Sequence, residues 1–346
     1  MEPLSKVRLR NGVATALRSS SCIQVDLDPK HAVLLSGDVV EIRNFLNDLD
    51  GRYQVQALIK KYGFADEFLD LMERRGLLTC ELINTDSLQG LTQLQRSNLI
   101  TSATCQTAAT GDAAIGPNYL KNLSDGYVWI NGVGPVAGQL SIFLAQAQIG
   151  RLKIELLNSF QFKDLPIWIR RTGGDPVGIF VDELERASSR IQLNQPKGLA
   201  NPDLAILTDD PFRDPASTDS FMNRQIPHLF VDVLASHAVV GPLVLPGISA
   251  CLNCIEQKFL MSDQAWPSMR EILGPKTHIE IDNLLMTLSA SFAANIIVGL
   301  ITSKNFERSA LINSQWRFSL PGPILEVVRY EPDPTCHCQW GLSVAA

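Results

Sequence analysis

The stretch Val128–Gly150, VWINGVGPVAGQLSIFLAQAQIG, decides the fold of this protein. It begins with an apolar run typical of a strand, continues through a turn with two glycines, and ends in a longer pattern typical of a helix. Many proteins hold a nucleotide phosphate with these three elements, because the start of the helix offers backbone N–H groups and a positive dipole end. The residues that would line such a loop are Gly132, Gly134, Ala137 and Gly138.

A proline, Pro135, stands inside the same turn. Proline fits the first turn of a helix, but it has no backbone N–H to donate to a phosphate. The loop also satisfies the G-x-G-x-x-G/A pattern only loosely. The sequence therefore leaves two alternatives: a working nucleotide site, or a nucleotide-type turn kept as scaffold.

Outward from this stretch, the pattern predicts an α/β domain over residues 126–346. Strands and helices alternate there, with a helix at about 136–148 and a long apolar helix near 281–303. The apolar run Leu284–Thr302 is the only candidate membrane span; its serines and threonines, with Asp282 before it and Lys304 after it, favour a buried helix. The predicted strands are Tyr127–Asn131, Leu152–Leu157, a run from Asp203, Leu229–Leu234, Ala238–Leu245 and Ile324–Tyr330.

Residues 1–80 predict a separate small unit. CIQVDL (Cys22–Leu27) and HAVLLSG (His31–Gly37) predict a hairpin, and three short helical patterns follow, each ending at a glycine. A small sheet with three short helices is the winged-helix order. Residues 81–125 are polar and lack sustained periodicity, so we expect a linker or irregular connection.

Charge and composition narrow the class of protein. The formal net charge is −6, so the chain has no basic field to attract nucleic acid. The last helix of the N-terminal unit would repel phosphate, because Asp66, Glu67, Asp70 and Glu73 stand against only two arginines. No apolar segment typical of a signal peptide follows the first charged residues, and we expect a cytoplasmic protein.

Four of the seven cysteines come in two close pairs: Cys251 and Cys254, Cys336 and Cys338. Two thiolate pairs on distant segments can complete a tetrahedral, structural zinc site. The alternatives are a redox C-x-x-C motif, a disulfide, or a site in which His337 replaces one thiolate. A closed four-thiolate site leaves no open position for substrate.

Two segments resemble a known family. Ile226–Pro267, IPHLFVDVLASHAVVGPLVLPGISACLNCIEQ…DQAWP, and Asp333–Gly341, DPTCHCQWG, are similar to ThiF-type, ubiquitin-activating-like proteins of azole-forming peptide natural-product clusters. The resemblance implies a nucleotide-type α/β domain whose paired cysteines bind zinc. It also implies a leader-peptide-binding partner of a cyclodehydratase, and an N-terminal winged helix to whose sheet the leader peptide adds a strand.

The resemblance supplies two further tests of the nucleotide site. Nucleotide-binding members carry an acidic residue at the end of the next strand; here the matching position is Leu156, and Glu155 lies one residue early. Active enzymes also have an arginine-containing stretch that contacts ATP, and Arg170 and Arg171 lie too far along to match it. Asp209 or Asp210 could hold magnesium, or could belong to a solvated loop.

Two hypotheses follow. The preferred one is a non-catalytic protein that binds a leader peptide for a YcaO-type cyclodehydratase. The predicted groove lies between the strand His31–Ser36 and the helix Asp66–Arg74. Four apolar residues would line this groove unless they belong to the core: Val33, Leu35, Leu69 and Met72. The alternative is an adenylating enzyme that uses ATP and Mg²⁺ on a peptide or small carboxylate. The resemblance also implies a homodimer. A third reading is a scaffold without a peptide substrate.

Overall fold

The computed structural model describes residues 6–10, 12–29, 31–80, 86–110, 115–155, 157–170, 173–193, 201–208, 215–273, 281–322 and 324–338. The chain divides into two compact units, Met1–Lys121 and Asn122–Ala346. Each unit has its own sheets and its own apolar core, and the two are described separately.

The first unit contains two three-stranded sheets, with orders β5-β1-β6 and β2-β3-β4. The strands are β1 Lys6–Leu9, β2 Thr15–Ser19, β3 Cys22–Val25, β4 Val33–Ser36, β5 Asp50–Gln54 and β6 Leu78–Cys80. The helices are α1 Val39–Asp48, α2 Val55–Lys61, α3 Ala65–Arg74 and α4 Gln93–Thr110, and α5 Ile115–Asp125 continues into the second unit.

The helix α1 shows why these residues fold locally as they do. Asp38 caps it, since the carboxylate accepts hydrogen bonds from the N–H groups of Val40 and Glu41 at 2.8 and 3.0 Å. Ile42 and Phe45 on the opposite stripe are buried in the core. The predicted hairpin and the three short helices are confirmed. The sheet β5-β1-β6 was not predicted, and the winged-helix assignment stays a prediction.

The segment predicted to be a linker or irregular connection contains two helices, α4 and α5, so the expectation of irregular structure is wrong. The hydroxyl groups of Thr101, Ser102 and Thr104 donate to carbonyl oxygens four residues earlier, which satisfies these polar side chains inside a helix. Among the side chains of α4 whose burial the structure describes, only Leu99 and Ala103, one turn apart, are buried, and so narrow a stripe gives little periodic signal. The domain boundaries stay a prediction.

The second unit is built on a seven-stranded sheet of order β13-β12-β11-β10-β9-β7-β8. The strands are β7 Tyr127–Asn131, β8 Arg151–Ile154, β9 Leu204–Leu207, β10 His228–Val233, β11 His237–Val244, β12 Ser314–Ser319 and β13 Ile324–Arg329. The helices are α6 Pro135–Gln146, α7 Pro176–Ala187, α8 Pro215–Asn223, α9 Leu252–Ser262, α10 Trp266–Leu273 and α11 Asn283–Ser303.

Strands β8, β7, β9 and β10 run parallel, and β11 to β13 continue the sheet antiparallel. Helices α6 and α11 pack together on one face. The carboxyl ends of the parallel strands meet at the start of α6, where α/β sheets bind ligands. The α/β expectation and the predicted strands are confirmed, although β8 ends at Ile154 and not at Leu157. Strand β12 and the helices α7 to α10 were not predicted.

Helix α11 is the one helix, within the described ranges, that is long and apolar enough to cross a membrane. Of its most apolar window, 56% is buried inside the fold. Its polar side chains are satisfied within the helix: the hydroxyl groups of Thr287 and Ser289 donate to carbonyl oxygens four residues earlier. These features agree with the predicted buried helix.

Candidate functional site

The glycine loop joins β7 to α6 at the carboxyl edge of the sheet. Gly132 and Gly134 have φ angles of +153° and +128°, which favour glycine. A Cβ atom on Gly132 would lie 2.0 Å from Oγ1 of Thr208 and 2.8 Å from its carbonyl oxygen. The loop backbone therefore packs directly on the end of β9, and only glycine fits at this crossing.

Ala137 and Gly138 lie in the first turns of α6 and are buried. A Cβ atom on Gly138 would lie 2.4 Å from the carbonyl oxygen of Asp164, in a segment of short 3-10 turns over residues 157–169. The small residues of the helix thus allow this segment to cross it closely. Packing therefore accounts for the small side chains at Ala137 and Gly138.

Pro135 is the first residue of α6, directly after Gly134. Its fixed φ suits the helix start, which agrees with the expectation that proline is tolerated there. Gly134 has no side chain to cap the helix, and Pro135 donates no N–H. The loop has the shape of a phosphate-binding turn with one backbone donor fewer.

The charged residues near this edge have protein partners. Glu155 follows β8 and pairs with Lys153 at 2.5 Å, with 40% of the Glu155 side chain exposed. The Arg170 guanidinium donates to the carbonyl oxygens of Lys163 and Leu165, both at 2.7 Å, so it holds the backbone of its own segment. Four residues considered from the sequence lie outside the described residues: Leu156, Arg171, Asp209 and Asp210.

The four paired cysteines come together. Their sulfur atoms all lie within 4.8 Å of one another. Cys251 Sγ lies 3.8 Å from Cys254 Sγ and 3.6 Å from Cys336 Sγ, and Cys254 Sγ lies 3.5 Å from Cys338 Sγ. Zn–S bonds of about 2.3 Å place the sulfurs of a tetrahedral site about 3.8 Å apart. The four residues could therefore hold a metal ion.

The fold positions these thiols from two segments far apart in sequence. Cys251 is the residue before α9, and Cys254 lies in the first turn of that helix, where the dipole favours thiolate. Cys336 and Cys338 follow β13. The Lys258 ammonium on α9 donates a hydrogen bond to the carbonyl oxygen of Arg329 at the end of β13, at 2.9 Å. This bond holds the two cysteine-bearing segments close together.

Hydrogen bonding lowers the pKa of one of the four thiols. The hydrogen bond from Cys251, reinforced by the N–H of Asp333 at 3.3 Å, lowers the pKa of Cys254 to about 5. The hydrogen bond to Cys254 together with burial raises the pKa of Cys251, and burial raises that of Cys336 to about 11. A divalent cation would reverse these last two shifts, because a coordinated thiol is deprotonated.

The four residues assigned to peptide binding lie in the core of the first unit. Val33, Leu35, Leu69 and Met72 are 0–4% exposed and belong to one apolar cluster. Their side chains hold α3 against β4 in this structure, and their assignment to peptide binding stays a prediction.

The free edge of β4 offers backbone groups instead. The N–H of Gly37 donates to the carbonyl oxygen of Ser21 at 2.9 Å, which makes these two residues a hydrogen-bonded pair in the β3–β4 register. Such pairs alternate along an antiparallel ladder, so Leu35 and Val33 bond to β3, and Leu34 and Ser36 direct their N–H and C=O groups outward. Among the described residues, no strand pairs with this edge. The sequence predicted a peptide site beside this strand, but it could not show which backbone groups point outward, because the hydrogen-bonding phase of a ladder depends on register.

His228 is a packed histidine. It is fully buried beside Phe221 and Phe230, and its Nδ1 lies 2.9 Å from the carbonyl oxygen of Ile226. Burial lowers the pKa of His228 to about 4. The histidine is therefore neutral near pH 7.

Known structures share the architecture of this chain. It superposes on E. coli MccB bound to ATP with a TM-score of 0.63 and 14% identity, covering 96% of this chain and 99% of that one. The chain has the fold of MccB. The microcin C7 biosynthetic enzyme MccB in complex with N-formylated MccA matches with a TM-score of 0.65 at the same identity and coverage.

This chain also superposes on a heterocyclase in complex with substrate and cofactor, with a TM-score of 0.62 and 15% identity. The superposition covers 96% of this chain but only 39% of the heterocyclase chain. No family model matches the sequence, and no curated protein is similar to it. The ThiF-type fold implied by the sequence resemblance is confirmed.

Proposed function

We propose that the protein binds the leader segment of a ribosomally made precursor peptide and presents the peptide to a separate YcaO-type cyclodehydratase that forms thiazole or oxazole rings. The free edge of β4 beside α3 carries this proposal. An extended peptide can add a strand to such an edge and gain main-chain hydrogen bonds. The names of the structural neighbours, MccB with MccA and a heterocyclase with substrate, support a peptide ligand.

The β4 edge is suited to a short strand. Leu34 and Ser36 present two N–H and two C=O groups in alternation, and 48% of Leu34 is exposed for contact with an apolar side chain. The buried side chains of Val33 and Leu35 anchor the strand from below, so the edge is held in place before a ligand arrives. Preorganisation of this kind reduces the entropy lost on binding.

A pair of proline variants tests the edge. Leu34→Pro removes one outward N–H of β4 but no hydrogen bond to β3, because edge strands tolerate proline on their free side. Leu17→Pro is the matched control: the N–H of Asp26 donates to the carbonyl oxygen of Ala14 at 2.8 Å, which places Leu17 outward on the other edge, β2. Circular dichroism verifies that both variants fold.

The probe is a display library of random peptides about twelve residues long, long enough to form a strand. We expect the wild-type protein and Leu17→Pro to enrich a common set of peptides that Leu34→Pro does not bind. Equal enrichment by all three proteins, or none by the wild type, contradicts peptide capture at β4.

The glycine loop is proposed to be a degenerate nucleotide site. Two observations support this proposal: Pro135 lacks an N–H, and Glu155, the candidate for the acidic position, pairs with Lys153. The alternative, an adenylating enzyme, requires a backbone donor in the loop and an acidic residue after β8 that face ATP and Mg²⁺. Without them the α/β unit acts as a scaffold, and zinc at the four cysteines ties its last strand to α9.

The cyclodehydratase is proposed to dock on the loop that carries Ile167 and Trp168. About half of each side chain is exposed, at 51% and 48%. The Arg170 hydrogen bonds hold this loop, and the Trp168 ring stacks 6.3 Å from that of Phe143. An exposed Trp on a loop that is held by hydrogen bonds is typical of an interface anchor. We further propose that the protein acts in the cytoplasm as a homodimer; light scattering tests the dimer.

A further inference from the structure

Helix α3 lies beside the edge strand β4, with one flank turned toward α1. The ring of Phe68 lies 6.2 Å from that of Phe45 on α1. Helix α1 packs on β3, the central strand of the sheet, next to β4. Two residues before β4, the Nδ1 atom of His31 lies 3.0 Å from the carbonyl oxygen of Arg75, which is the residue directly after α3. The flank of α3 opposite Phe68 therefore faces outward, beyond the free edge of β4.

That outward flank is acidic. Asp66 and Asp70 stand two residues before and after Phe68, roughly 200° around the helix from it. Both are exposed, and Glu67 adds a third exposed carboxylate in the same first turn. Asp70 pairs with Arg74 at 2.5 Å, whereas the described residues place no cation within ion-pair distance of Asp66 or Glu67. An added strand would run beside this negative surface.

We infer that the peptide captured at β4 carries lysine or arginine side chains on the face turned to α3; this inference rests on the proposed function. Side chains of an extended strand alternate between two faces. Peptide residues opposite Leu34 would lie on the same exposed face of the sheet as Leu34. The peptide residues before and after them would turn toward Asp66 and Asp70. The ligand class is thus a basic peptide with cationic residues spaced by two and apolar residues between them.

The contribution of these charges is modest and depends on salt. Reversing one charge replaces an attraction between exposed charges by a repulsion, so we expect it to change affinity about three- to tenfold. Higher ionic strength screens the same attraction. Main-chain hydrogen bonds at the edge set the basal affinity, and the carboxylates of α3 select among sequences.

The test uses the random-peptide selection described above, now on the full chain carrying Asp66→Lys. The control is Glu41→Lys, which changes the same charge in the first turn of α1, the helix that packs on β3. Both substitutions place a cation at a helix N-terminus, so their effect on the helix dipole is matched. Background attraction of basic peptides to the acidic protein is subtracted with Leu34→Pro, whose charge is that of the wild type.

We expect β4-dependent peptides to be enriched in Lys and Arg at alternate positions. We further expect Asp66→Lys to weaken their binding three- to tenfold and Glu41→Lys to weaken it less than twofold. Peptides that depend on β4 but lack basic residues, or that ignore Asp66→Lys, overturn this inference and leave peptide capture standing. An absence of β4-dependent peptides overturns both.

Discussion

Gly132 lies against Thr208 so closely that a Cβ atom on the glycine would stand 2.0 Å from the threonine hydroxyl oxygen. The N–H of Thr208 in turn donates to the carbonyl oxygen of Asn131, at 3.2 Å, which joins the end of β9 to the residue before the loop. The glycine loop is thus held by its neighbouring strand without any bound phosphate. Packing of this kind is what the proposed loss of nucleotide binding requires, because it keeps the shape of the turn.

Gly132→Ala is expected to destabilise the α/β unit by about 1–3 kcal/mol, because alanine meets both a positive φ and the Thr208 side chain. Urea unfolding followed by tryptophan fluorescence measures the change, since all five tryptophans lie in the second unit. The control is Gly299→Ala in α11, where a Cβ atom meets nothing within 4 Å. Equal effects of the two variants would show that the loop is not packed as described.

Calorimetric titration with ATP and Mg²⁺ is expected to show no saturable binding to the wild-type protein. The physical reason is the donor missing at Pro135, combined with the pairing of Glu155 with Lys153. The variant Pro135→Ala restores one N–H and serves as a comparison. Saturable, magnesium-dependent binding by the wild type would support the adenylating enzyme instead.

One zinc ion per chain is expected on metal analysis of the purified protein. Cys254→Ser should release it, and Cys105→Ser should not, because Cys105 is exposed and lies outside the cluster. Loss of zinc is expected to lower the unfolding free energy of the α/β unit by about 3–4 kcal/mol if the metal is present at 100 to 1,000 times its dissociation constant. A metal-free protein with unchanged stability would contradict a structural zinc site.

His228 is expected to make the α/β unit less stable in acid. Its folded pKa of about 4 lies below the usual 6.5, so the unfolded chain binds more protons between these values. Stability is therefore full above about pH 6.5 and falls as the pH drops toward 4, by about 3 kcal/mol in total. His228→Gln should flatten the dependence of the unfolding free energy on pH over this window. An unchanged slope in the variant would assign the effect to other groups.

Trp168→Ala is expected to weaken association with the cyclodehydratase at least tenfold, because an exposed aromatic anchor on a rigid loop supplies about 2 kcal/mol. Co-purification and surface binding assays with a YcaO-type protein measure this loss. Met261→Ala, which removes another exposed apolar side chain of the same unit, is the control. Peptide enrichment at β4 should be the same in both variants.

Local patterns in the sequence determined the strand, turn and helix of Val128–Gly150, the hairpin at β3 and β4, and the pairing of the four cysteines as one candidate site. These features follow from periodicity and from residue chemistry, both of which act over a few residues. Strand β12 was missed, although Trp316 and Phe318 alternate with polar residues, because a six-residue run gives a weak signal.

Tertiary structure alone decided the rest. The four apolar residues assigned to a groove became core, because burial depends on which elements pack above a strand. The outward groups of Leu34 and Ser36 follow from ladder register, and the contact between Gly132 and Thr208 joins residues 76 positions apart in sequence. A one-dimensional pattern specifies which face is apolar; the three-dimensional arrangement specifies which edge stays open.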